Sequence, residues 1–256
     1  MKGNIRIRKK IVEVDAYSIE GRRDKMELKH DLIAIEKPLN IYVNNVYYTT
    51  IFHLPGLECE LATGHLFSDG VINEAGDIQA CNEASDNTIH FTVPRKVGFL
   101  KTSTELDELN NLIFRSTEDV VKISATVIFK AFDTLYASAK IFSRTGSAHA
   151  ASLSNYNGRA VAFAEDVSRH NAVDKAIGIV ILQNSLNAVF LALTGRLSLS
   201  IVRKAARAGI QVVASRGATT DAALKLAKQC GITLLGFVRG DKMSIYSHPE
   251  RIISDK

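Results

Sequence analysis

The chain has 256 residues, 46% of them hydrophobic, with 32 Lys and Arg against 27 Asp and Glu for a formal net charge of +5. That length suits one large domain or two small ones with a sizeable core. The modest positive balance favours phosphate-bearing ligands, but no run of like charge makes a polybasic tail and no segment reaches transmembrane length.

The amino terminus, MKGNIRIRKKIVEVD, alternates charged and β-branched residues and lacks an apolar stretch of signal-peptide length, so a cytoplasmic protein is expected. Cys59, Cys81 and Cys230 are widely spaced, with no C-x-x-C. This pattern argues against a disulfide framework and a structural zinc site. Each cysteine is expected to fill space as a small buried hydrophobe.

Residues 4–14 alternate as a strand. Two more strands, LIAIE and NIYVNNVYYTT, are expected between Asp31 and Thr50, joined near Pro38-Leu39-Asn40. Residues 57–67 read as a helix on Leu57, Leu61 and Phe67, stopped at Gly70. Residues 76–95 read as a hairpin turning at Ser85-Asp86-Asn87. From Ser103 the period changes to a capped helix through Leu106, Leu109, Leu112 and Ile113, then a second helix over 124–141.

The remainder alternates: strand AVAFAE, helix 166–181, strand 188–193, helix 198–208, strand QVVAS, helix 221–230 and strand ITLLGFV. A turn at Arg239-Gly240-Asp241 leads into MSIYS, and Gly209 and Gly231 stand at helix stops. This order predicts an α/β fold (α+β overall) with a mostly parallel sheet covered on both faces. It also predicts a strand-rich N-terminal domain, 1–100, followed by a helical segment and α/β domain, 101–256. The boundary is placed near 99–103.

Chemistry concentrates between Phe142 and Gly178. The small-residue run TGSAHAA, 145–151, lets backbone approach a ligand or a helix closely. Asp166, His170 and Asp174, four residues apart, share one face of the expected helix, opposite Val173, Ile177 and Val180. His170 suits a structural hydrogen-bond network as well as acid–base duty, and His149 suits space-filling as well as a ligand role. In open α/β sheets ligands gather at the carboxyl ends of strands. Those ends here read Thr194-Gly195-Arg196, Ser215-Arg216-Gly217-Ala218-Thr219-Thr220 and Arg239-Gly240-Asp241-Lys242. Helix-start N–H groups and Arg side chains suit phosphate; ordinary capped polar loops are the alternative.

A metal site is not expected, since there is no H-E-x-x-H and no cysteine cluster. His149-Ala150-Ala151 has Ala151 where zinc deaminases carry their proton-shuttling glutamate, and no P-C-x-x-C follows, so that chemistry is excluded. Nucleic-acid binding rests only on a pI of about 9.0, without aromatic–basic interleaving.

TGSAHAA, EDVSRHNAVDKAIG, LTGRLSLSIVRKAARAGIQVVAS and GITLLGFVRGDKMSIY, preceded by ELATGHLFSDGVI at 60–72, resemble the FdhD family of formate dehydrogenase accessory proteins. The resemblance implies a cytidine-deaminase-like three-layer core and a homodimer. It implies a sulfurtransferase that takes sulfur from a cysteine desulfurase as a cysteine persulfide. The sulfur goes to the molybdenum bis(molybdopterin guanine dinucleotide) cofactor before insertion into the formate dehydrogenase catalytic subunit, with GDP as a mimic of the bound cofactor. The implied cofactor contacts are Thr145, Gly146, His149, Asp166, Arg169, His170, Asp174, Arg216 and the segment Phe237-Val238-Arg239-Gly240-Asp241-Lys242. Lys242 replaces a frequent arginine, keeping the charge without the fork. The family's persulfide cysteines lie in a C-G-x-C-G loop, where this chain reads Phe99-Leu100-Lys101-Thr102-Ser103-Thr104-Glu105. No catalytic residue is therefore assigned: sulfur passes through another residue, or the chain only binds and hands over the cofactor. The competing expectation is a small-molecule enzyme using His170 with Asp166 as an acid–base pair on a nucleotide or phosphorylated substrate.

Overall fold

The structure is a computed structural model and describes residues 10–19, 26–84, 87–94, 121–185 and 188–254. β1 (Ile11–Ile19) and β2 (Met26–Ala34) pair antiparallel as a two-stranded arm. β3 (Lys37–Val43), β4 (Val46–His53), β5 (Ala80–Ala84) and β6 (Thr88–Thr92) form a four-stranded sheet in the order β4-β3-β6-β5. The stretch NIYVNNVYYTT, expected as one strand, is a hairpin: Asn44 and Asn45 adopt left-handed φ of 50° and 65°. Two such residues give a turn whose twist matches the flanking strands, and Asn tolerates it well.

α1 (Glu58–Ser68) follows β4. β7 (Ile123–Ser124) leads into α2 (Ala125–Ser138), where Ser124 Oγ accepts from Thr126 N at 3.1 Å as N-cap. The helix expected over 124–141 breaks at Ala139, and α3 (Lys140–Thr145) restarts it. Glu165 makes the break tolerable by accepting from Ile141 N and Phe142 N at 3.1 and 2.8 Å. The helix expected from Ser103, the boundary at 99–103 and the turn residues Ser85 and Asp86 lie outside the described residues.

β8 (His149–Ser154), β9 (Ala160–Asp166), β10 (Phe190–Leu193), β11 (Val212–Ser215), β12 (Thr233–Arg239) and β13 (Lys242–Ser247) make a six-stranded sheet, ordered β13-β12-β11-β10-β8-β9. Only its centre, β10-β11-β12, is parallel. The β8–β9 and β12–β13 connections are too short to cross over, so those pairs are antiparallel, as is β8–β10. A last strand, β14 (Ile252–Ile253), runs parallel to β7.

Both faces of the large sheet are covered, as apolar runs in its strands require. Phe190, Ala192, Val212 and Leu235 meet Ile128, Phe132 and Leu135 of α2. Leu191, Leu193, Val213 and Leu234 meet α4 (Arg169–Leu182), α5 (Leu199–Arg207) and α6 (Asp221–Gln229). The same apolar cluster continues into Leu61 and Leu66 of α1 and into Leu39, Ile41 and Phe91 of the four-stranded sheet, so one core spans both sheets.

α1 and α4 touch backbone to backbone. A β-carbon on Gly64 would lie 1.9 Å from the carbonyl oxygen of Asp174, and one on Gly178 would lie 1.9 Å from that of Glu60. Only glycine fits at either position. Cys59, in the first turn of α1, is joined in a disulfide to Cys81 of β5 with Cα atoms 7.0 Å apart. This corrects the expectation of no disulfide. The pairing is created by a helix packing on a sheet, and a separation of 22 residues gives no sequence signal for it.

Gly64→Ala or Gly178→Ala is expected to lower folding stability by about 3 kcal/mol or more, because backbone on the opposing helix cannot yield. Gly76→Ala, with only the tip of Glu74 within 4 Å, should stay within about 0.5 kcal/mol. Denaturant unfolding of the three variants checks both.

Candidate functional site

The carboxyl ends of β10, β11 and β12 share one edge of the sheet. Because β8 runs antiparallel, its first residue reaches the same edge, and His149 pairs in register with Asp166, the last residue of β9. The loops leaving the edge are tied together. Ser215 Oγ donates to Gly195 O and accepts from Gly217 N at 2.9 Å. Phe237 N donates to Gly217 O at 3.1 Å, and Leu197 N to Ala218 O at 2.9 Å. A β-carbon on Gly195 would sit 2.8 Å from the side chain of Arg169, so glycine lets the β10 loop approach α4.

Arg169 opens α4, after Ser168, whose hydroxyl accepts from His170 N at 3.3 Å. Burial, then the neighbouring charge of Arg196, lowers the pKa of Arg169. Its Nε is buried without a hydrogen-bond partner. The guanidinium of Arg169 is thus partly desolvated, with the exposed Arg196 close enough to repel it. His149 Nδ1 lies 3.2 Å from Thr194 Oγ1, which also accepts from Ala150 N at 3.1 Å. The Thr194 hydroxyl proton is thus free for the imidazole. His170 Nε2 lies 2.8 Å from Ser200 Oγ, itself 3.1 Å from Ser198 Oγ at the start of α5. Burial and then Arg169 lower the pKa of His149. Burial, Arg169 and Lys204 hold that of His170 down to about 4. Both shifts favour the uncharged ring.

The two acids expected beside His170 are committed elsewhere. Asp166 ends β9 rather than starting a helix. Its Oδ2 is 2.7 Å from the Nζ of fully buried Lys175 and accepts from Leu54 N at 3.1 Å; its Oδ1 accepts from Ser168 N and Asn171 Nδ2. Asp174 receives Lys204 Nζ on both oxygens at 2.6 and 2.7 Å and Ser68 Oγ at 2.8 Å. Burial would raise the Asp174 pKa, but Lys204 and His65 outweigh it and hold it at about 2. The Asp166–His170 acid–base pair is therefore not formed, because α4 is enclosed by the sheet on one side and α1 on the other. Asp166, on β9, and Asp174, on α4, meet buried lysines instead.

The other expected contacts divide. Thr145 and Gly146 end α3: Thr145 Oγ1 donates to Ile141 O at 2.8 Å, and Gly146 takes a left-handed φ of 65°. Strand β8 accounts for most of the rest of the small-residue run. Arg216 is exposed, with its guanidinium 5.2 Å from the ring of Tyr136. Val238 points into the core under α2, and Arg239 and Gly240 are exposed at the β12–β13 turn. Phe237, Asp241 and Lys242 line a different feature, an open groove of about 800 Å³ against Thr126 and Phe129 of α2. The structure thus groups His149, Arg169 and His170 with Thr194, Arg196 and Ser200, and turns part of the 237–242 segment toward the groove. Ser200 was not legible beforehand: it reads as one more polar residue after the helix start. Among the described residues no group of three His, Cys, Asp or Glu is placed to hold a metal ion, and no helix is long and apolar enough to cross a membrane.

Arg169→Ala should raise the His170 pKa from about 4 toward 6.5, read from imidazole resonances by NMR. Lys204→Met should cost roughly 3–5 kcal/mol, since it strands a buried carboxylate. The Asp174 pKa is depressed below its ordinary 3.8, so its stabilisation is full above pH 4 and is lost as pH falls toward 2. Unfolding free energies measured across that range should fall less steeply in the variant.

The FdhD/NarQ family model matches residues 34–253. A Sulfolobus acidocaldarius protein described as sulfur carrier protein FdhD is 34% identical over 87% of this chain and 91% of its own length. The Saccharolobus solfataricus and Nocardia farcinica proteins of the same description are each 32% identical, covering 94% and 99% of this chain and 99% and 97% of their own. A crystal structure from Desulfotalea psychrophila, described as a formate dehydrogenase accessory protein, superposes with a TM-score of 0.83 at 28% identity, over 95% of this chain and all of that one. Sequence blocks, fold and length agree, and the chain belongs to the FdhD/NarQ family of formate dehydrogenase accessory proteins.

Proposed function

We propose that this chain binds a guanine-dinucleotide molybdenum cofactor as its client, with the phosphates seated at the cationic sheet edge. One observation carries the reading: Arg169 and Arg196 lie together at that edge while both nearby acids, Asp166 and Asp174, are tied to buried lysines. An anion entering there meets two guanidinium forks and no repelling free carboxylate from α4. Neutral His149 and His170 can accept or donate hydrogen bonds to it without adding fixed charge.

In this reading the chain holds the molybdenum bis(molybdopterin guanine dinucleotide) before it enters the catalytic subunit of formate dehydrogenase. The sulfur it handles comes from a cysteine desulfurase, and the chain works as a cytoplasmic homodimer. Support for these steps comes from the family resemblance, and support for the seat comes from the residues named above.

GDP is the probe. Calorimetry should show GDP binding and much weaker guanosine binding, with affinity falling as salt is added. Arg169→Ala and Arg196→Ala should each weaken GDP by roughly 10- to 100-fold, the worth of a hydrogen-bonded charge. Unaltered GDP affinity in both variants, with folded circular dichroism spectra, would remove the edge from the account.

A further inference from the structure

Covalent sulfur carriage needs a thiol, and this chain has three. Cys230 is ill suited: it caps the end of α6, and burial pushes its thiol up to about 11, so little thiolate exists at neutral pH. Cys59 and Cys81 differ from it. Both are partly exposed, and they are joined to each other. Cys59 lies in the first turn of an eleven-residue helix, where aligned N–H dipoles favour a thiolate. Of the flanking acids, Glu58 is turned to His53 Nε2 and Gly56 N. Cys81 lies on β5, an edge strand of the four-stranded sheet.

We infer that Cys59 and Cys81 form a site that takes sulfane sulfur from a persulfide donor and releases it as hydrosulfide. The inference rests on this chain being a sulfur-carrying member of its family, and it is independent of the phosphate seat. In the first step the Cys59 thiolate attacks the outer sulfur of a donor R–S–SH. A Cys59 S–S bond forms, the donor S–S bond breaks, and R–S⁻ leaves. In the second step Cys81, having lost its proton to solvent, attacks the Cys59 Sγ. The Cys59–Cys81 disulfide forms and HS⁻ leaves. The two electrons that reduce sulfane sulfur to sulfide come from the two cysteine thiols, and a dithiol reductant resets the pair.

Position favours release over direct transfer. Glu60, next to Cys59, backs onto Gly178, eight residues along α4 from His170 at the phosphate seat. At 1.5 Å per helical residue that is roughly 12 Å, beyond the reach of a persulfide on a cysteine side chain. A small anion can cross the gap.

The test uses the full chain, reduced and freed of reductant, with glutathione persulfide as donor. Wild type should release one hydrosulfide per chain, trapped with monobromobimane, while two thiols disappear. Cys81→Ser should instead keep one added sulfur on Cys59, located by peptide mass spectrometry, and release no more hydrosulfide than the Cys59→Ser/Cys81→Ser double variant. Sulfur mapped to Cys230, or hydrosulfide release unchanged in Cys59→Ser, would overturn the inference. So would a reduced wild type that ignores the donor, which would leave the disulfide a structural cross-link. If a serine variant fails to fold, differential alkylation of wild-type Cys59 and Cys81 before and after the donor decides the same question. GDP calorimetry on the same samples separates the two proposals: intact GDP binding without sulfur transfer sinks only this one, and the reverse sinks only the phosphate seat.

Discussion

The rest of the structure depends on the contact between α1 and α4. Gly64 and Gly178 let the two helices meet at their backbones, each against a carbonyl of the other. With no side chains between them, Ser68 of α1 can reach Asp174, and the strand end at Leu54 lies close enough for its carbonyl to take Lys175 Nζ at 2.6 Å. The result is a helix buried almost all round, from Asn171 through Gly178, that joins the four-stranded sheet to the six-stranded one. Arg169 and His170, at its first turn, are thereby fixed over the sheet edge.

The same enclosure decides the electrostatics. Burying an ion pair is costly unless further hydrogen bonds complete it. Asp166 has three such partners besides Lys175, and Asp174 has Ser68 besides Lys204. These pairs turn Asp166, at the end of β9, and Asp174, on α4, inward and leave arginines at the mouth. Partial burial and the neighbouring Arg169 then favour the uncharged form of both histidines, so the fixed charge at the edge is guanidinium.

Much of this was legible in the sequence. Apolar strands alternating with helices at 188–235 give the sheet, because short runs such as AVFLAL leave no polar face. The cationic loops at strand ends mark the edge. What was not legible depends on contacts between distant segments. Asp166, His170 and Asp174 have helical spacing, but only the positions of Lys175 and Lys204 reveal that the acids are occupied. The Asn44-Asn45 turn hides inside a continuous β-forming stretch, since Asn is a weaker turn signal than Asn-Gly. Cys59 and Cys81 meet only because a helix packs on an edge strand. The glycines of ELATGHL and DKAIG read as ordinary helix residues until the partner backbone is seen.

The most direct test of the central claim is an amide chemical-shift map of the full chain titrated with GDP. The account predicts perturbations centred on His149, Arg169–Asn171, Thr194–Arg196 and Ser200. Shifts confined to the groove beside Phe237 and Lys242, with the Arg169 edge silent, would contradict it.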